Sequence, residues 1–164
     1  MKHSLFTLTI LAATAASALA APAQVTGERK LWHKVTLTWT GPQAAENADA
    51  NPFTDYRLEV TFKHKSGSPT YLVPGYFAAD GRAAESSATS GDQWRVHFAP
   101  DKTGVWTYQA AMVKGPRVAV DSDASGTPVS GVDGETGTLT IGASDKKGSD
   151  FRAKGRLDYV GEHY

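Results

Sequence analysis

The chain has 164 residues, room for one ordinary domain and not two. Its 17 Lys and Arg balance 17 Asp and Glu, and a formal charge of zero argues against nucleic acid or an anionic membrane as partner. Hydrophobic residues at 40% supply a core, and the absence of Cys excludes disulfides, Cys-ligated metal centres and thiol catalysis.

Lys2 and His3 precede an apolar run from Leu5 through Leu19 that closes on Ala18-Leu19-Ala20, a small-x-small cleavage pattern. A bilayer span needs about 20 strongly apolar residues. The run falls short of that, so 1–20 reads as a signal peptide and the protein as exported, extracellular or periplasmic. Residues 21–27 then form an N-terminal linker, 28–142 the folded domain, and 143–164 a linker or the start of a downstream domain.

From there the chain alternates with period two. Leu31, His33, Val35, Leu37 and Trp39 fall on one face of a first strand, with Trp32, Lys34, Thr36 and Thr38 opposite. Tyr56, Leu58, Val60 and Phe62 mark a second inward face, against which Glu59 sits among basic neighbours as a cross-strand ion-pair partner. The run Thr70–Phe77 is broken at Pro74-Gly75, which predicts a bulge or an edge position. Trp94, Val96 and Phe98 form a fourth strand, Trp106, Tyr108, Ala110 and Met112 a fifth, and 138–141 a sixth, with 151–160 a further candidate. Segments 40–55, 78–92 and 121–137 read as loops. No sustained helical spacing follows the leader, and short alternating strands joined by turns predict an all-β fold. The expected architecture is an antiparallel immunoglobulin-like β-sandwich of about seven to eight strands.

Catalytic signatures are sparse. His33, His64, His97 and His163 are scattered without metal-ligand spacing, and neither a G-x-S-x-G elbow nor a phosphate loop occurs. Glycoside hydrolysis needs two carboxyl groups about 5–10 Å apart. No predicted strand carries a D/E-x-D/E pair, which disfavours a small jelly-roll glycosidase. Asp121-x-Asp123-x-Ser125-Gly126 fits the opening of a calcium loop, but position twelve is Val132 where a Glu is needed, so a polar surface loop is the preferred reading. No metal and no cofactor is expected. Among the aromatics, Trp39, Trp94 and Trp106 lie in register with aliphatic core residues. Trp32 stands on an otherwise polar face, and Tyr71, Tyr76 and Phe77 flank the Pro-Gly break; these four are candidates for contacting a sugar or a neighbouring domain.

Several strings then fall into a familiar order: Asn51-Pro52-Phe53-Thr54-Asp55 with Leu58-Glu59-Val60-Thr61-Phe62, Val73-Pro74-Gly75-Tyr76-Phe77 with Asp80-Gly81, and Trp94 through Pro100 with Thr103 through Tyr108. In this order they resemble the N-terminal β-sandwich domain catalogued as domain of unknown function 5060, well over about residues 28–114 and more loosely to Ile141. The segment Asp121–Gly137 departs from the pattern. The resemblance implies a domain placed before a (β/α)₈ barrel of glycoside-hydrolase type, including apiosidase-like ones, in secreted bacterial proteins. It implies no catalytic residue in the sandwich itself. The tail Phe151–Tyr164 resembles the segment leading into that barrel, and 164 residues cannot hold a barrel of about 250 residues.

The expected role is therefore a non-catalytic accessory module of a polysaccharide-degrading enzyme. Its expected partner is a barrel in the same polypeptide. A free-standing carbohydrate-binding module using exposed aromatics is the alternative. Neither role involves nucleic acid or a membrane span.

Overall fold

A computed structural model describes residues 21–157, 159, 161 and 162. The signal peptide expected over 1–20 and His163 lie outside the described residues.

In chain order the elements are β1 (Gln24–Gly27), β2 (Val35–Ala45), β3 (Tyr56–His64), β4 (Thr70–Pro74), β5 (Tyr76–Phe77), α1 (Ala83–Ser86), β6 (Ser90–Phe98), β7 (Gly104–Lys114), β8 (Thr127–Pro128), β9 (Thr136–Ile141) and α2 (Phe151–Lys154). The strands form two antiparallel sheets. One has the order β1-β2-β6-β5; in the other β4-β3-β7 is completed by β8 and β9, which pair with successive parts of β7. With β4 counted as an added edge strand beside β3, β1-β2-β6-β5 facing β3-β7-β9 is the strand order of an immunoglobulin-type sandwich.

Period-two alternation sends one set of side chains from each sheet into the space between them. Leu37, Trp39, Trp94 and Val96 come from the first sheet; Val60, Phe62, Trp106, Met112 and Leu139 meet them from the second, all essentially buried. Each such side chain contributes about 1.5–3 kcal/mol on burial. Phe62 and Phe98 stack across the sheets with centroids 4.0 Å apart. The buried indoles find acceptors: Trp94 Nε1 donates to Pro42 O at 3.1 Å, inside the register shift of β2, and Trp106 Nε1 donates to Lys102 O at 2.9 Å.

Sheets of this type are often stapled by a disulfide between their second and sixth main strands. This cysteine-free chain joins β2 and β7 through Glu135 instead. Its carboxylate accepts from Trp39 Nε1 at 3.0 Å, from the Tyr108 hydroxyl at 3.1 Å and from the Ala23 N–H at 3.3 Å. Glu135 is 8% exposed, and burial beside its charge pushes the Tyr108 phenol far above its ordinary pKa.

The break at Pro74-Gly75 is a change of sheet. The chain leaves the second sheet at Pro74 and enters the first at Tyr76, so β4 and β5 are both edge strands. Gly75 N–H donates to Leu58 O at 2.7 Å, and a Cβ there would lie 2.5 Å from the Leu58 side chain and 2.9 Å from Arg95 O. Only glycine allows that approach.

Other expectations require correction. The first long strand begins at Val35, because Leu31 and Trp32 form a turn in which Trp32 has φ +64°. Residues 151–154 form a helical turn rather than a strand, since Asp150 caps it by accepting the Arg152 N–H at 2.9 Å. The three loop segments are partly ordered by the end of β2, by α1 and by β8. Glu59 lies 3.9 Å from Arg57 on its own strand rather than pairing across strands.

Candidate functional site

The turn before β2, edge strand β4, the corner after β6 and the tail after α2 converge on a groove of about 440 Å³. Trp32, Tyr71, Leu72, His97, Asp101 and Arg156 line it. Trp32 is held in its left-handed conformation by donating its backbone N–H to Pro100 O at 2.8 Å. Tyr71 projects from β4, stacks on Trp106 at 6.0 Å and donates its hydroxyl to Asp101 Oδ2. That hydrogen bond, and then burial, raise the Tyr71 phenol above its usual pKa. Arg156 closes the groove from the tail. Its Nη2 donates to the same Asp101 oxygen at 2.8 Å, and its guanidinium lies 6.0 Å from the Trp32 ring centroid. Gly155 makes this possible, because a Cβ there would stand 3.0 Å from the indole. The other oxygen, Asp101 Oδ1, is buried without a hydrogen-bond partner among the described residues.

Thus two of the four candidate aromatics, Trp32 and Tyr71, come together, and Trp32 is half-buried under the tail. Tyr76 is exposed and bonded at 2.9 Å through its hydroxyl to His97 Nε2, while His97 Nδ1 meets Thr36 Oγ1 at 2.9 Å. Desolvation of His97, then the charges of Lys34 and Arg95, depress its pKa and favour the neutral ring. Phe77 is a core residue: it is buried against Trp94 at 5.1 Å, because the sheet switch turns it inward. Asp101, His97 and Arg156 were not among the residues expected at a site. His97 lies in the Trp94–Pro100 string and Asp101 directly follows it, but Arg156 is 55 residues further along the chain.

A second cluster sits nearby. Buried His33 faces Glu28 Oε2 at 2.6 Å through Nδ1 and Ser144 Oγ at 3.2 Å through Nε2, and Asp145 completes a group whose ligand atoms lie within 4.8 Å. Lys30 Nζ already stands 2.6 Å from Asp145 and 3.6 Å from Glu28. With Lys146 adjacent, the positive charge a metal would bring is present, and the cluster acts as an ion-pair clasp between the turn before β2 and the segment after β9. Hydrogen bonding to Lys30 holds Asp145 down at about 2. The candidate calcium residues behave otherwise. Asp121, Asp123 and Ser125 are exposed, and Asp121 accepts the Asp123 N–H at 3.0 Å as in an ordinary turn.

Strand order and core together define the class: an immunoglobulin-like β-sandwich module, one groove of which presents aromatics and an ion pair. Residues 28–113 match the model of the family described as Domain of unknown function (DUF5060). The chain belongs to that family. Among solved structures it is similar to one described as "a putative glycoside hydrolase from Bacteroides vulgatus ATCC 8482", at 21% identity and a TM-score of 0.47 over 71% of this chain. The chain spans 16% of that protein's length. No curated protein matches it.

Proposed function

We propose that the chain is a non-catalytic accessory module of an exported, polysaccharide-degrading glycoside hydrolase, joined in one polypeptide to the barrel that carries the chemistry. One observation supports this reading most. The segment leaving the sandwich is fastened twice, by Lys30 to Asp145 and by Asp101 to Arg156. Between and beyond these points Phe151 and Leu157 present apolar side chains that are 80% and 79% exposed. A stiff exit with apolar side chains facing outward suits a module that fixes the orientation of a neighbouring domain. Among the described residues lining the groove, Asp101 is the one carboxylate and is engaged by Tyr71 and Arg156, so those residues do not supply the two facing acids of a glycosidase.

The test is the intact mass and N-terminal sequence of the native secreted protein. A mass several times that of 21–164, beginning near Ala21, is expected; a mass equal to 21–164 overturns the accessory reading. Sugar binding is a second reading, favoured by the convergence of Trp32 and Tyr71 with a carboxylate and a guanidinium in one groove.

A further inference from the structure

We propose that this groove is a binding site for a neutral saccharide and that the tail at Gly155–Arg156 forms one of its walls. The inference rests on the sugar-binding reading and deepens it by naming the residues and the ligand class; it is independent of a linked barrel.

Size is the first argument. A volume of about 440 Å³ lies within the range of about 300–1,000 Å³ typical of small-molecule sites. The lining chemistry is the second. A pyranose has an apolar face of C–H groups, whose slightly positive hydrogens complement the negative face of an indole or phenol ring. Trp32, Tyr71, Leu72 and Phe98 provide the apolar wall. Sugar hydroxyls both donate and accept, so they need acceptors and donors side by side. Asp101 supplies carboxylate oxygens and Arg156 supplies guanidinium N–H groups. Among the described residues, Asp101 Oδ1 is buried and lacks a hydrogen-bond partner, so the carboxylate beside the groove has acceptor capacity that those residues do not use. Arg156 spends Nη2 on Asp101 while its side chain remains 62% exposed.

Charge selects the class of sugar. Asp101 and Arg156 neutralise one another at 2.8 Å, leaving no net charge in the pair to attract a uronate. Trp32, Tyr71 and Asp101 lie inside the family-matched region, whereas Arg156 lies outside it. The site is therefore a joint product of sandwich and tail.

Affinity electrophoresis of the purified chain tests this, in native gels containing xylan, galactomannan, mixed-linkage β-glucan or arabinan, with pectin as the acidic comparison. The variants are Trp32→Gly, which removes the ring at a left-handed position, and Arg156→Ala, on an exposed side chain outside the core. Thermal melts establish that each variant is folded. The expected result is retardation in at least one neutral gel, with the retention constant reduced at least tenfold in Trp32→Gly and several-fold in Arg156→Ala. Retardation by pectin alone overturns the neutral class. Retardation that both folded variants retain overturns this site and leaves the sugar-binding reading standing. No retardation in any gel overturns both.

Discussion

Removing the Glu135 carboxylate tests what holds the two sheets in register. Glu135→Ala strands the Trp39 indole N–H and the Tyr108 hydroxyl, on residues 1% and 5% exposed, whereas the Ala23 N–H is near enough to solvent to find water. Each buried donor left without an acceptor costs about 1–3 kcal/mol, and recovery of the carboxylate's own desolvation offsets part of the sum, giving about 3–5 kcal/mol in all. Glu135→Gln keeps the shape and one carbonyl oxygen, which can accept from Trp39 while the amide NH₂ donates to the Tyr108 oxygen. That leaves the Ala23 N–H mismatched and the Tyr108 O–H proton without its former acceptor, for about 1–2 kcal/mol. Urea denaturation with unchanged m-values measures both losses, and the Ala variant should melt about 10–15 °C lower. The reasoning is refuted if Glu135→Ala lies within about 1 kcal/mol of the parent, or if the Gln and Ala variants are equally destabilised.

Gly75→Ala forces a methyl group to within 2.5 Å of the Leu58 side chain and should cost about 1–3 kcal/mol in the same denaturation assay; a neutral result would contradict the close approach at the sheet switch. The Asp145 carboxyl should titrate at about 2 by NMR, and its midpoint should rise in Lys30→Met. Its folded pKa lies below the ordinary 3.8, so its small contribution to stability is present above 3.8 and is lost as pH falls through about 2. A midpoint that stays put in Lys30→Met would dissolve the clasp. His97 should titrate below 6.5 and move upward in Lys34→Met; being depressed, it favours the fold above 6.5 and ceases to do so as pH falls through its own midpoint.

The sandwich was legible because its signal is local. Trp94, Val96 and Phe98 alternate with polar neighbours, and every one of them is buried. The same signal misleads at a strand's end: Leu31 and His33 continue the alternation of β2 although the backbone there turns, and His33 is buried in an ion cluster rather than in the apolar core. Pro74-Gly75 announced an interruption without revealing that the chain crosses to the other sheet, which placed Phe77 in the core. Glu135 was hidden in an acidic, glycine-rich segment that reads as solvated loop. Its partners Trp39 and Tyr108 lie 96 and 27 residues away. The groove was half visible. Trp32 looked out of place on a polar face, while Asp101 and Arg156, 55 residues apart, meet only after the sheets close and the tail returns.

The sheet switch also governs how the molecule meets copies of itself. Open strand edges are templates for aggregation, and long flat ones are the most hazardous. Here the central strands run nine to eleven residues, but the edges are short: four in β1, two in β5, five in β4, and two and six in β8 and β9. Without the crossing at Gly75, Thr70 through Phe77 would form one continuous ledge. Divided between two sheets, and ending its longer piece in a proline, that ledge offers an incoming strand little to pair with. A domain without a single disulfide thus guards its own solubility through the path of its backbone.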